Sequence, residues 1–174
     1  MEIFVQTKKR HPWINIISFL LFFFAFIIHY TDIVDISIKN ARPIIIIPLL
    51  TAFSMFSGVG VSAAVGLVIG IFMDSVSSGT VCFNAAVLMV SAALVSVCTE
   101  RLFNRNIRAA VLLCLLTCLF YFLLRWVCFY AFGIGVQENL TYLLSYAFPG
   151  MLYTTVFIFP FYFLYKYFYK IINA

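Results

Sequence analysis

The residues that could carry chemistry are few and scattered: Asp74, Arg125, His11, His29 and five cysteines, Cys82, Cys98, Cys114, Cys118 and Cys128. Asp74 closes a long apolar run, and an acid at membrane depth commonly serves proton or ion movement. The run then gives way to Ser75, Ser77, Ser78 and Gly79, a turn-like cluster. The carboxylate thus stands at a helix end, where a structural contact or a contact with a partner competes with transport. An aspartyl intramembrane protease needs two acids sharing a proton. No second acid lies within an apolar run, and Asp74 is preceded by Gly70-Ile71-Phe72-Met73, not by Gly-x-Gly. Arg125 lies near the far end of another apolar stretch. Its long side chain either snorkels to the interface or meets Asp74 as an intramembrane polar contact.

Nothing else assembles into a catalytic set. The cysteines form no CxxC and do not combine with histidine at zinc-binding spacing. They read as small buried hydrophobes, with Cys114 and Cys118 on one helix face. Neither histidine has a triad partner in view. No catalytic residue, metal or cofactor is expected. Asn139-Leu140-Thr141 matches a glycosylation sequon, a triplet that chance often produces.

The elements that hold these residues follow from composition. The chain of 174 residues is 65% hydrophobic and 10% charged, too little polar surface to cover a soluble domain. The pattern predicts an all-α polytopic membrane protein, a single integral membrane domain over residues 1–174 with about six transmembrane helices near 13–30, 43–57, 61–74, 81–99, 109–132 and 147–167. A secretory signal peptide competes for the first helix, but its run lacks a small-residue cleavage site. Pro43 suits the start of the second helix, and Pro48 is expected to kink it. The second and third helices read as two short spans, with a re-entrant hairpin buried in protein as the alternative. The Phe and Tyr stripe of the last helix reads as lipid contact and interfacial anchoring.

The third helix carries the most informative pattern. Ser62, Gly66, Gly70 and Asp74 recur at four-residue steps and share a face. Small residues there let another helix backbone approach closely. With Gly79 beyond them, they form the expected helix-packing or partner-docking face.

The net charge of +5 reads as a record of orientation, not of a nucleic-acid partner. With the N-terminus inside and six spans, the inner segments hold Lys8, Lys9, Arg10, Arg101, Arg105, Arg108, Lys166 and Lys170, and the outer loops hold Lys39 and Arg42. Both termini are therefore expected in the cytoplasm, although four spans plus a re-entrant hairpin predict the same sidedness. The basic loop with Arg101, Arg105 and Arg108 either meets acidic lipids or a cytoplasmic partner, or is a solvated loop that sets topology.

These features resemble a known family. Arg42-Pro43, the hairpin of the second and third helices, Gly66-Leu67-Val68-Ile69-Gly70-Ile71-Phe72-Met73-Asp74, then Ser78-Gly79 and Asn84-Ala85, are similar to the rod shape-determining protein MreD family. The resemblance implies a bacterial inner-membrane protein without chemistry of its own. It would be a scaffold of the cell-elongation (rod) complex that directs sidewall peptidoglycan synthesis. The partners so implied are an MreC-like bitopic protein, the actin-like MreB, the glycosyltransferase RodA, a class B penicillin-binding protein and membrane lipids. It also implies a fold similar to the substrate-binding subunits of energy-coupling-factor (ECF) vitamin transporters. A transporter subunit is therefore the alternative function, with Asp74, Asn84, Arg125 and some tyrosines as contributors to an outward site.

Overall fold

The computed structural model describes residues 12–30, 44–76, 82–101, 105–129 and 148–173. Among these residues it consists of α1 (Pro12–Tyr30), α2 (Ile46–Phe56), α3 (Val59–Val76), α4 (Phe83–Arg101), α5 (Ile107–Phe129), α6 (Phe148–Val156) and α7 (Ile158–Asn173). Among the described residues the fold is all-helical, that of a polytopic membrane protein. By length and composition, α3, α4 and α5 are each able to cross a bilayer.

The helices gather around α2. Every residue from Ile46 to Met55 is buried, and α2 touches each of the other six helices. A helix that is apolar all round belongs in an interior, and Ile46, Ile47, Leu49, Leu50, Ala52 and Met55 supply the centre of the core. Its 11 residues extend roughly 16 Å at the usual rise, about half of a hydrocarbon core of roughly 30 Å. Pro48 does not kink it. The proline sits in the first turn, where its missing N–H has no intrahelical partner to lose. Instead Ile47 N–H donates to Ile44 O at 3.1 Å, opening the helix with a tight turn. Pro43 lies outside the described residues.

The last expected helix is two. The chain breaks at Phe157, whose N–H donates back to Thr154 O at 3.2 Å, a three-residue step. Pro160, in the first turn of α7, cannot donate to the carbonyl of Val156, so the α-helical ladder cannot run through this point. The expected end of the fifth helix, residue 132, lies outside the described residues.

Core hydroxyls are mostly satisfied inside their own helices. Thr51, Ser91, Thr99, Thr117, Thr154 and Thr155 each donate to the carbonyl four residues earlier. This pattern lets serine and threonine lie in an apolar interior without a tertiary partner. Cys114 and Cys118 are fully buried as expected of small hydrophobes, whereas Cys82 and Cys128 are exposed. Outward, Leu20, Phe23 and Phe24 of α1, Ile71 and Phe72 of α3, Leu116 and Leu123 of α5 and Phe163 of α7 are exposed. Such an apolar exterior suits lipid as solvent.

Candidate functional site

The small-residue face of α3 is occupied by α4 of the same chain. The two helices run antiparallel and form the most extensive helix pair among the described residues. Ser62, Gly66 and Gly70 are all buried. A Cβ on Gly66 would stand 2.5 Å from Leu88 O and 3.1 Å from the Ala92 Cβ. One on Gly70 would strike the backbone of Ala85 and stand 2.6 Å from Asn84 O. Contacts this short against backbone leave room only for glycine. Gly60 on the same helix has nothing within 4 Å of that position, so its glycine answers no packing demand. Ser62 turns its hydroxyl to Gly58 O at 3.0 Å. Ser96 of α4 donates to Ser57 O at 2.8 Å, tying the other end of α4 to the turn between α2 and α3. Gly79 lies outside the described residues.

The close approach delivers Asp74 to the start of α4. Its Oδ1 accepts from Asn84 N at 3.1 Å and from Asn84 Nδ2 at 2.9 Å, and its Oδ2 accepts from Ala85 N at 2.9 Å. The first N–H groups of a helix have no partner within it, and a carboxylate is favoured at that positive end of the dipole. Asparagine, aspartate or serine at the N-cap usually fills this role. Here the N-cap is Cys82, whose carbonyl accepts from Ala86 N at 3.2 Å and whose φ of 59° is left-handed. A cysteine caps poorly, and the aspartate of a neighbouring helix caps in its place.

Asn84 extends the network. Its Oδ1 accepts from the Tyr121 hydroxyl of α5 at 2.8 Å, a buried bond. Arg125 lies one turn further along α5, on the same helix face as Tyr121. Asp74 and Arg125 do not pair directly. They stand at the two ends of a series, Asp74–Asn84–Tyr121–Arg125, in which hydrogen bonds join the first three across α3, α4 and α5 and helical spacing sets Arg125 beside Tyr121. Tyr30 at the end of α1 donates to Met73 O at 3.3 Å beside it. Tyr121 is the residue missed in the sequence, because a tyrosine inside an apolar run carries no mark of its partner. Its place one turn before Arg125 is the signal that could have found it.

The basic residues divide. Arg101 and Arg108 are exposed, while Arg105 is half-buried. The Arg105 guanidinium lies over the rings of Tyr169 and Phe56, 4.4 and 5.7 Å from their centroids. Arg105 is thus a stacked cation, not a freely solvated loop charge. The side chain of His29 lies outside what is described. Among the described residues, no group of three His, Cys, Asp or Glu side chains is placed to hold a metal.

No curated protein and no solved structure matches the chain. A family model does: residues 7–172 of the 174 match that of the rod shape-determining protein MreD. The glycine face and the Asp74 cap thus lie within a match spanning nearly the whole sequence, and the chain belongs to the MreD family of rod shape-determining proteins.

Proposed function

We propose that this protein serves rod shape determination as a non-catalytic scaffold of the bacterial cell-elongation complex. It would organise sidewall peptidoglycan synthesis by packing helices against an MreC-like bitopic protein, close to the complex's glycosyltransferase and class B penicillin-binding protein. In this reading it is a multi-pass protein of the cytoplasmic membrane with both termini in the cytoplasm.

One observation carries the reading. Asp74, Asn84 and Tyr121 of α3, α4 and α5 are spent on one another: the Asp74 carboxylate accepts three hydrogen bonds from α4, and Asn84 accepts one from Tyr121. A substrate-binding subunit needs several polar groups converging on a ligand. Groups that instead cross-link three helices make a firm body with an apolar exterior. Ile71 and Phe72 of α3 and Leu94 of α4 belong to that exterior, and helix packing in lipid is the interaction it can offer.

The test is purification of the tagged protein from native membranes in mild detergent, with co-purifying proteins identified by mass spectrometry. Recovery of a bitopic MreC-like protein with cell-wall synthases is the expected result. Recovery of ATPase subunits with a coupling membrane protein would overturn it in favour of a transporter subunit.

A further inference from the structure

The end of the bundle opposite Asp74 collects cations. Arg101 closes α4, Arg105 and Arg108 flank the start of α5, and Lys166 and Lys170 lie on α7. Glu100 is the one carboxylate at this end among the described residues, and no ion pair joins it to any of these cations.

The cations are built into an aromatic surface. Tyr162 of α7 donates to Arg105 O at 2.7 Å, and the Lys166 amino group lies 5.7 Å from the centroid of the Tyr162 ring. Tyr162 thus ties the Arg105 backbone at its hydroxyl and meets the Lys166 amino group at its ring. Tyr169 and Phe56, whose ring centroids stand 5.5 Å apart, lie together on one side of the Arg105 guanidinium and restrain it. A fork held in this way matches two oxygens of a phosphate.

The surface beside it is apolar in the right direction. Phe159, Phe163, Lys166 and Lys170 recur at helical spacing along one face of α7. Phe159 and Phe163 are exposed on the side toward the middle of the bundle, and the lysines are exposed toward its end. This ordering of rings, then cations, follows acyl chain, then headgroup. An acidic peptide would use the cations alone.

We propose that Arg105 and Lys166 bind the headgroup phosphate of an anionic phospholipid whose acyl chains lie along Phe159 and Phe163. The site goes beyond the scaffold reading and does not depend on it. The test uses the full chain in mild detergent with phosphatidylglycerol or phosphatidylcholine, and reads lipid retention by native mass spectrometry. The wild type retains phosphatidylglycerol in preference. Lys166→Gln and Arg105→Gln each lower that preference roughly fivefold, the share of one cation near a membrane surface, while Arg125→Gln, at the opposite end, leaves it unchanged. Lys166 is exposed, so its variant carries the test even where loss of the Arg105 stack unfolds the protein. An unchanged preference in Lys166→Gln overturns the site. So does displacement of phosphatidylglycerol by inorganic phosphate alone, which would make it a free-anion site.

Discussion

Asp74 caps a helix to which it does not belong: its Oδ1 accepts from both the backbone N–H and the side-chain amide of Asn84, at 3.1 and 2.9 Å. A carboxylate at the C-terminal end of its own helix is disfavoured by that helix's dipole. At the N-terminus of the adjacent antiparallel helix the sign reverses. The glycine face is what makes the reversal available, because it brings the start of α4 within hydrogen-bond reach of α3. The packing of two helices and the chemistry at their end are one arrangement.

Asp74 variants should therefore rank by the bonds they keep. Asp74→Asn retains one acceptor oxygen, able to serve both Asn84 donors, but sets an amide NH2 against Ala85 N–H. Asp74→Leu removes all three bonds. A lost cap costs about 1 kcal/mol, so Asn should cost about that much and Leu about twice as much. Thermal melting in one detergent measures the order. Equal losses would mean that the charge, not the bond count, holds α4.

Glycine substitutions separate packing from propensity. Gly66→Ala and Gly70→Ala push a methyl group into the α4 backbone, and overpacking of this kind costs about 1–3 kcal/mol. Gly60→Ala meets open space, and alanine favours a helix by up to about 1 kcal/mol over glycine. The first two should melt lower and the third no lower than wild type. A loss at Gly60 as large as at Gly66 would place the small-residue requirement outside the α3–α4 contact.

The series from Asp74 to Arg125 predicts coupling between residues that do not touch. In a double-mutant cycle, Asp74→Asn and Arg125→Gln should be non-additive by about 0.5 kcal/mol or more, as is usual within one network. Repeating the cycle in a Tyr121→Phe background, which removes the 2.8 Å bond to Asn84, should bring the coupling close to zero. Additive single effects in the wild-type background would show that the series carries no energy between its ends.

Much of this arrangement is written in side chains, and some of it is not. The spacing of Ser62, Gly66 and Gly70 reveals a close-packing face because a small residue every fourth position has one geometric meaning. Asp74 at the end of that face is equally visible. Its partners are not, because two of the three donors are backbone N–H groups, which every residue possesses. Direct pairing with Arg125 is the natural guess from charge alone, and it omits the neutral Asn84 and Tyr121 that lie between. Pro160 is plain in the sequence, yet whether a proline opens a helix or divides one depends on where the preceding helix ends. Arg105 reads as a loop charge because the rings that cover it, Phe56 and Tyr169, are remote in sequence.

Cys82 offers the last test, because the local backbone is strained where the cap is supplied from elsewhere. Its φ of 59° is left-handed, a conformation that costs an L-residue roughly 1–2 kcal/mol. Glycine adopts it freely but loses more entropy on folding, so Cys82→Gly should be net stabilising by up to about 1 kcal/mol. Cys82→Ala keeps the Cβ and the strain, and its exposed side chain gives up no buried contact. A higher melting temperature for the glycine variant alone would identify strain at the α4 N-cap, which the Asp74 bonds hold in place. Equal stabilisation by alanine would instead trace the effect to the thiol.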